Sequence, residues 1–169
     1  MPDFSPLFLK TKGKPIEYNG KIVHGVHFFP VKNGDILVAS IESTNSDCRQ
    51  GFIIDVTGWC EMDGEKCSEG KGVRMVFWED TAPKEIKLTV HPTKDSVAIY
   101  NVWENVSEYV LSDQQGNPVT KSSTSVDYWR YGAAMIVEEI EGGFRYRCND
   151  WHPDDNFDDI VFTVKKLES

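Results

Sequence analysis

Apolar and polar positions alternate with a period of two along most of the chain, the spacing that puts one face of an extended strand inward and the other outward. The segments are ILVASIE (36–42), GFIIDV (51–56), VRMVFW (73–78), IKLTV (86–90), SVAIYNVW (96–103), EYVLS (108–112), AAMIVEEI (133–140), FRYRC (144–148) and DIVFTV (159–164). In FRYRC, Phe144, Tyr146 and Cys148 share one face while Arg145 and Arg147 share the other, as in a half-buried strand. Turn-forming pairs punctuate these runs at Asn33-Gly34, Asp63-Gly64, Gly116-Asn117-Pro118 and Gly142-Gly143. No stretch shows convincing 3.6-residue periodicity, although EYVLSDQQ has room for a short helical turn. TKSSTS (120–125) reads as an exposed loop. Short strands divided by turns predict an all-β chain: a single antiparallel β-sandwich domain over residues 1–169.

Composition narrows the partners. With 169 residues, 40% of them apolar, the chain can bury a core. A net charge of −9 argues against nucleic acid or an anionic membrane as an electrostatic partner and suits a cation. No run of about eighteen apolar residues predicts a transmembrane segment. The start MPDFSPLFLKTKGKP lacks the pattern of a signal peptide, giving an expectation of a cytoplasmic or non-classically secreted protein. Cys60 and Cys67 flank EMDGEK; they would pair in an oxidising compartment and remain thiols in a reducing one. No CxxC or HExxH spacing marks a zinc site, and no nucleophile elbow, P-loop or dinucleotide fingerprint marks an enzyme. Glu138 and Glu139 are adjacent on a strand and face opposite sides, which rules out a glycosidase pair. The same argument sets His24 and His27 on opposite sides of a strand. The sequence therefore predicts no catalytic residues.

One stretch departs from the strand-and-turn pattern. CNDWHPDDNFDDIVFTV (148–164) crowds Asp150, Asp154, Asp155, Asp158 and Asp159, with Asn149 and Asn156, into eleven positions. Carboxylates about 4–6 Å apart repel by roughly 1 kcal/mol per pair even when well solvated. A strand on each side pins this loop, so it cannot relieve the repulsion by spreading. A divalent cation is the natural counter-charge, and a ligand set of Asp and Asn oxygens selects calcium over zinc or copper. His152 inside the loop does not change that choice. Asp154-x-Asn156-x-Asp158 copies the first ligands of an EF-hand, but Asp159 replaces the required Gly, Lys165 replaces the required Glu, and the flanks are strands.

The order Asp150, three residues, then Asp154-Asp155-Asn156-Phe157-Asp158-Asp159 and an alternating strand resembles the calcium loop of the calcium-mediated bacterial lectins that bind fucose and mannose. Asn156 stands where that family has Asp, and Asp158 where it has Asn; Phe157 matches the aromatic position and Asp159 the last ligand. FFPVKNGDILVASIESTNSD resembles an early strand of the family that ends at an ion and sugar site. The resemblance implies metal ligands Asp150, Asp154, Asn156, Asp158, Asp159 and Asn45, and sugar contacts from Ser46, Trp151 and Asp155. It also implies a homodimer in which the C-terminal carboxylate, here Ser169, reaches the neighbouring subunit's ion. The resemblance covers about a third of the chain, and the region between its two motifs is much longer here.

The expected function is calcium-dependent carbohydrate binding without catalysis. The alternative is a calcium-stabilised interaction or toxin-component module that binds protein or membrane. Within the lectin reading, Trp151 stacks on a sugar face or covers the ion. Tyr128-Trp129-Arg130-Tyr131 is expected to pack at the start of a strand.

Overall fold

The computed structural model describes residues 3–151 and 154–168. The chain is an antiparallel all-β sandwich. The first sheet contains β3 (His27–Pro30), β5 (Arg49–Val56), β8 (Val73–Trp78), β10 (Ser96–Ser112) and β11 (Pro118–Asp127). Its order is β11-β10-β5-β8, with β3 also paired to β10. The second holds β4 (Ile36–Thr44), β6 (Gly58–Met62), β7 (Glu65–Cys67), β9 (Ile86–Pro92), β12 (Ala134–Ile140), β13 (Gly143–Asn149) and β14 (Ile160–Lys166). Its order is β12-β13-β14-β4-β9-β6-β7. Between the sheets lie Phe52, Ile54, Val97 and Ile99 from the first, and Leu37, Leu88, Tyr146, Phe162 and Val164 from the second. Phe162 stacks on Phe52 at 4.2 Å and on Tyr146 at 4.8 Å, joining the sheets near the strands that carry the acidic loop.

Turn chemistry explains the hairpins. Asp63 and Gly64 have φ of 54° and 79°, the left-handed pair of a two-residue turn, and they bring Met62 opposite Glu65. This places Cys60 directly opposite Cys67, both as free thiols. Asn19 and Gly20, with φ of 49° and 76°, close a small hairpin of β1 (Ile16–Tyr18) and β2 (Lys21–Val23) in the same way.

The structure corrects four expectations. TKSSTS is not a loop but the middle of β11, exposed on both faces. EYVLSDQQ has no helical turn; its first residues continue β10 to Ser112, and Asp113 then opens the turn to β11. A six-residue helix, α1 (Ser5–Lys10), forms near the N-terminus with Pro6 in its first turn. His24 and His27 do not diverge: the chain bends at Gly25-Val26, and the rings meet edge to face at 6.0 Å. Tyr128 packs against the core ahead of β12, while Trp129 and Tyr131 remain exposed in left-handed conformations.

His27 Nδ1 and the Tyr146 hydroxyl lie 2.8 Å apart, within hydrogen-bond distance. Burial pushes the His27 pKa down to about 4, with the neighbouring His24 adding to the effect. Between the ordinary value of 6.5 and about 4 the unfolded chain binds a proton that the folded chain refuses. Folding stability should therefore fall as pH drops through this window. Denaturant titrations at its two ends should show the loss, and His27→Gln, which can still hydrogen-bond Tyr146 but cannot titrate, should reduce the slope.

Candidate metal centre

The acidic loop leaves β13 at Asn149 and returns at Ile160. Two side chains shape its path. Asn149 is fully buried; its Nδ2 donates to the Asp154 carbonyl at 2.8 Å and its Oδ1 accepts from the Phe157 amide at 2.9 Å. Phe157, at φ 51°, turns its ring into a small second core with Phe4, Val23 and Ala134, against which Phe8, Ile16 and Tyr18 also pack. The N-terminal helix and the β1–β2 hairpin thus provide the wall into which Phe157 is pinned. With both ends and the middle fixed, the carboxylates cannot separate.

Asp154, Asp158 and Asp159 each bring an oxygen within 4.8 Å of the other two. Asp159 is 2% exposed, and its Oδ2 accepts the Asp150 amide at 2.8 Å. Burial, reinforced by the charges of Asp150 and Asp154, pushes its carboxyl up to about 7. Asp158 Oδ2 accepts from Asn45 Nδ2 at 2.9 Å, whereas its Oδ1 is shielded from solvent with no donor among the described residues. Asn45 follows β4 directly, and its amide donates to the Asp159 carbonyl, so the early strand and the final loop are joined at the site. Asp150, fully buried, accepts from Ser46 Oγ at 2.5 Å and from Gln50 Nε2 at 3.0 Å.

Asn45, Ser46, Asp47, Cys48, Asp150, Trp151, Asp154 and Asp159 line one cleft of about 570 Å³. Of the residues singled out from sequence, the structure thus brings together Asn45, Ser46, Asp150, Trp151, Asp154, Asp158 and Asp159. Two are placed elsewhere. Asp155 is exposed and accepts from the Tyr18 hydroxyl at 3.2 Å, which ties the loop to the β1–β2 hairpin. Asn156 is exposed and donates its amide to Asp154 Oδ1, a local turn contact. His152 and Ser169 lie outside the described residues. Gln50 and Asn149 are additional members of the site. Gln50 opens a buried strand with no pattern to mark it; the signal for Asn149 is an Asn directly before an acidic turn, where its side chain can bond to nearby backbone.

An ion with metal–oxygen distances of about 2.3–2.6 Å can bridge oxygens at these separations, and the hard, all-oxygen donor set matches calcium chemistry. The shielded, donor-free Oδ1 of Asp158 beside two further carboxylates is the feature such an ion would satisfy. The chain has no match among models of protein families, among curated proteins or among solved structures.

Proposed function

We propose that this chain is a calcium-dependent carbohydrate-binding protein without catalytic activity. The observation that carries the reading is the convergence of Asp154, Asp158 and Asp159, with a bare, water-excluded oxygen on Asp158, at the edge of a cleft. Calcium accepts about 6–8 oxygens, so an ion held on one side by these carboxylates keeps positions for vicinal sugar hydroxyls on the other. The cleft falls within the range of small-ligand sites of about 300–1,000 Å³. Trp151, 38% exposed in its wall, offers an aromatic surface to a sugar's C–H face, and the Ser46 hydroxyl lies in the same cleft.

Two carboxylates outside the loop, Glu138 and Glu104, are paired with arginines. Glu138 Oε1 accepts from Arg147 Nε at 2.6 Å, and its other oxygen faces Arg145. Glu104 pairs with Arg49. Among the described residues no helix is long and apolar enough to cross a membrane.

Thermal unfolding tests the reading. Fucose or mannose should raise the unfolding midpoint in the presence of calcium and have no effect in a chelator. A midpoint that responds to calcium but to no sugar on a glycan array would favour the other reading, in which the ion fixes loops for a protein partner.

A further inference from the structure

The β10–β11 hairpin extends beyond the body of the sandwich. β5 follows β10 only as far as Arg49 opposite Glu104, and β3 pairs only with residues 96–99. From Asn105 to Ser112, β10 has β11 as its only strand partner among the described residues. Both faces of this section are in solvent, and Val106 and Val110 are 65% and 66% exposed. A two-stranded hairpin alone is marginal in water, and a long open edge invites another strand.

The edge of β11 is lightly protected, by one lysine and a terminal proline. From Gln114 to Val126 the chain contains no acid, although it carries −9 overall, and Lys121 is the only charge. The amide of Asp113 donates to the Asn117 carbonyl. That bond sets the parity of the ladder: the odd-numbered residues of β11 turn their backbone groups toward β10, and Thr120, Ser122, Thr124 and Val126 turn theirs outward. Pro118, which has no N–H, stands at the end of this open row.

We infer that the open edge of β11 pairs antiparallel with the same edge of a second copy of this chain, about a two-fold axis at Ser122. The exposed run from Pro118 to Val126 is centred on that residue. In this register Thr120 faces Thr124 of the partner subunit, Ser122 faces its own copy, and Lys121 falls opposite a serine. Along the outward row from Thr120 to Thr124 hydroxyl residues meet hydroxyl residues, and no like charges are opposed. The two copies of Glu108 lie three strand spacings apart, about 14 Å, where salt screens them. The product is a continuous sheet β10-β11-β11-β10, in which each hairpin gains the further strand it lacks. A foreign strand would need no such symmetry, and the outward row Thr120-Ser122-Thr124, which reads the same in both directions, is the reason to commit to a second copy. The inference is independent of the ion site.

Sedimentation velocity tests it. The full chain should sediment as a dimer at about 0.1 mM, and Ser122→Pro, which removes only an outward N–H, should be a monomer with an unchanged far-UV spectrum. Thr120→Lys with Thr124→Lys opposes like charges across the axis and should weaken the dimer about tenfold. Mixing that variant with a Thr120→Glu, Thr124→Glu chain should restore pairing between the two. A monomeric wild-type chain, or a dimer unaffected by both the proline and the lysines, would overturn the inference, whether or not calcium binds.

Discussion

Calcium should raise the unfolding midpoint of the wild-type chain by about 5–10 °C at about a hundredfold excess over Kd, and Asp159→Asn should abolish the rise. The size follows from linkage: a ligand of the folded state at that excess contributes about 2.7 kcal/mol, and a domain of this length gains about 2–4 °C per kcal/mol. The variant separates ion binding from structure. Asparagine keeps an oxygen for the Asp150 amide that Asp159 Oδ2 now accepts, so the loop's internal bonding survives while a charged ligand is lost. The pH dependence gives a second readout. Without the ion, folded Asp159 holds its proton up to about 7 while the unfolded chain releases it near 3.8. The folded state therefore binds more protons in that window, and apo stability falls as pH rises through it. At pH above 7 the apo variant, free of this cost, should melt no lower than wild type. Calcium removes the penalty by occupying the ionised carboxylate, so its stabilisation should grow from about pH 6 to about pH 8. A calcium response of full size in Asp159→Asn would remove this residue from the site.

Core strands that bury one face only are legible in the sequence, because burial is what writes alternation into it. Val73–Trp78 and Ile86–Pro92 are examples. The same logic explains the misreading of β11: with both faces in water, it has no inward face to mark with apolar residues. Its Thr and Val content is compatible with a strand but does not require one. The β1–β2 hairpin was overlooked because each strand is only three residues long, although Asn19-Gly20 is a strong turn signal. The histidine pair was misjudged because strand parity applies only within a strand, and Gly25 interrupts it. At the site, Asp154, Asp158 and Asp159 could be found because the loop supplies them from adjacent positions. Gln50 could not, since it reaches Asp150 across a hundred residues of chain. Asp155 and Asn156 are close to the others in sequence, but Asp155 turns to Tyr18 and Asn156 contributes a backbone N–H to Asp154 Oδ1.

Phe162→Ala should cost about 3–5 kcal/mol of folding stability and lower the unfolding midpoint by about 10 °C. The ring is fully buried and stacked on both Phe52 and Tyr146, so truncation leaves a cavity lined by rigid aromatics that cannot collapse to fill it. Phe162→Leu retains most of the volume and should cost about 1.5 kcal/mol or less. The alanine variant also asks what holds the carboxylates of the candidate metal centre in place. Phe162 lies three positions after Asp159 on the strand that begins at Ile160, beyond a bulge at Val161/Phe162 that interrupts the register with β4. The loop itself is fixed by Asn149, by the Phe157 ring in its separate small core, and by Asn45 across the site. None of these contacts passes through Phe162. In Phe162→Ala the calcium-dependent rise in midpoint should therefore keep its wild-type size on a lowered baseline, with the two effects adding as independent sites do. A rise that vanished together with the ring would mean that packing between the sheets, and not the loop's own bonds, sets the spacing of the carboxylates.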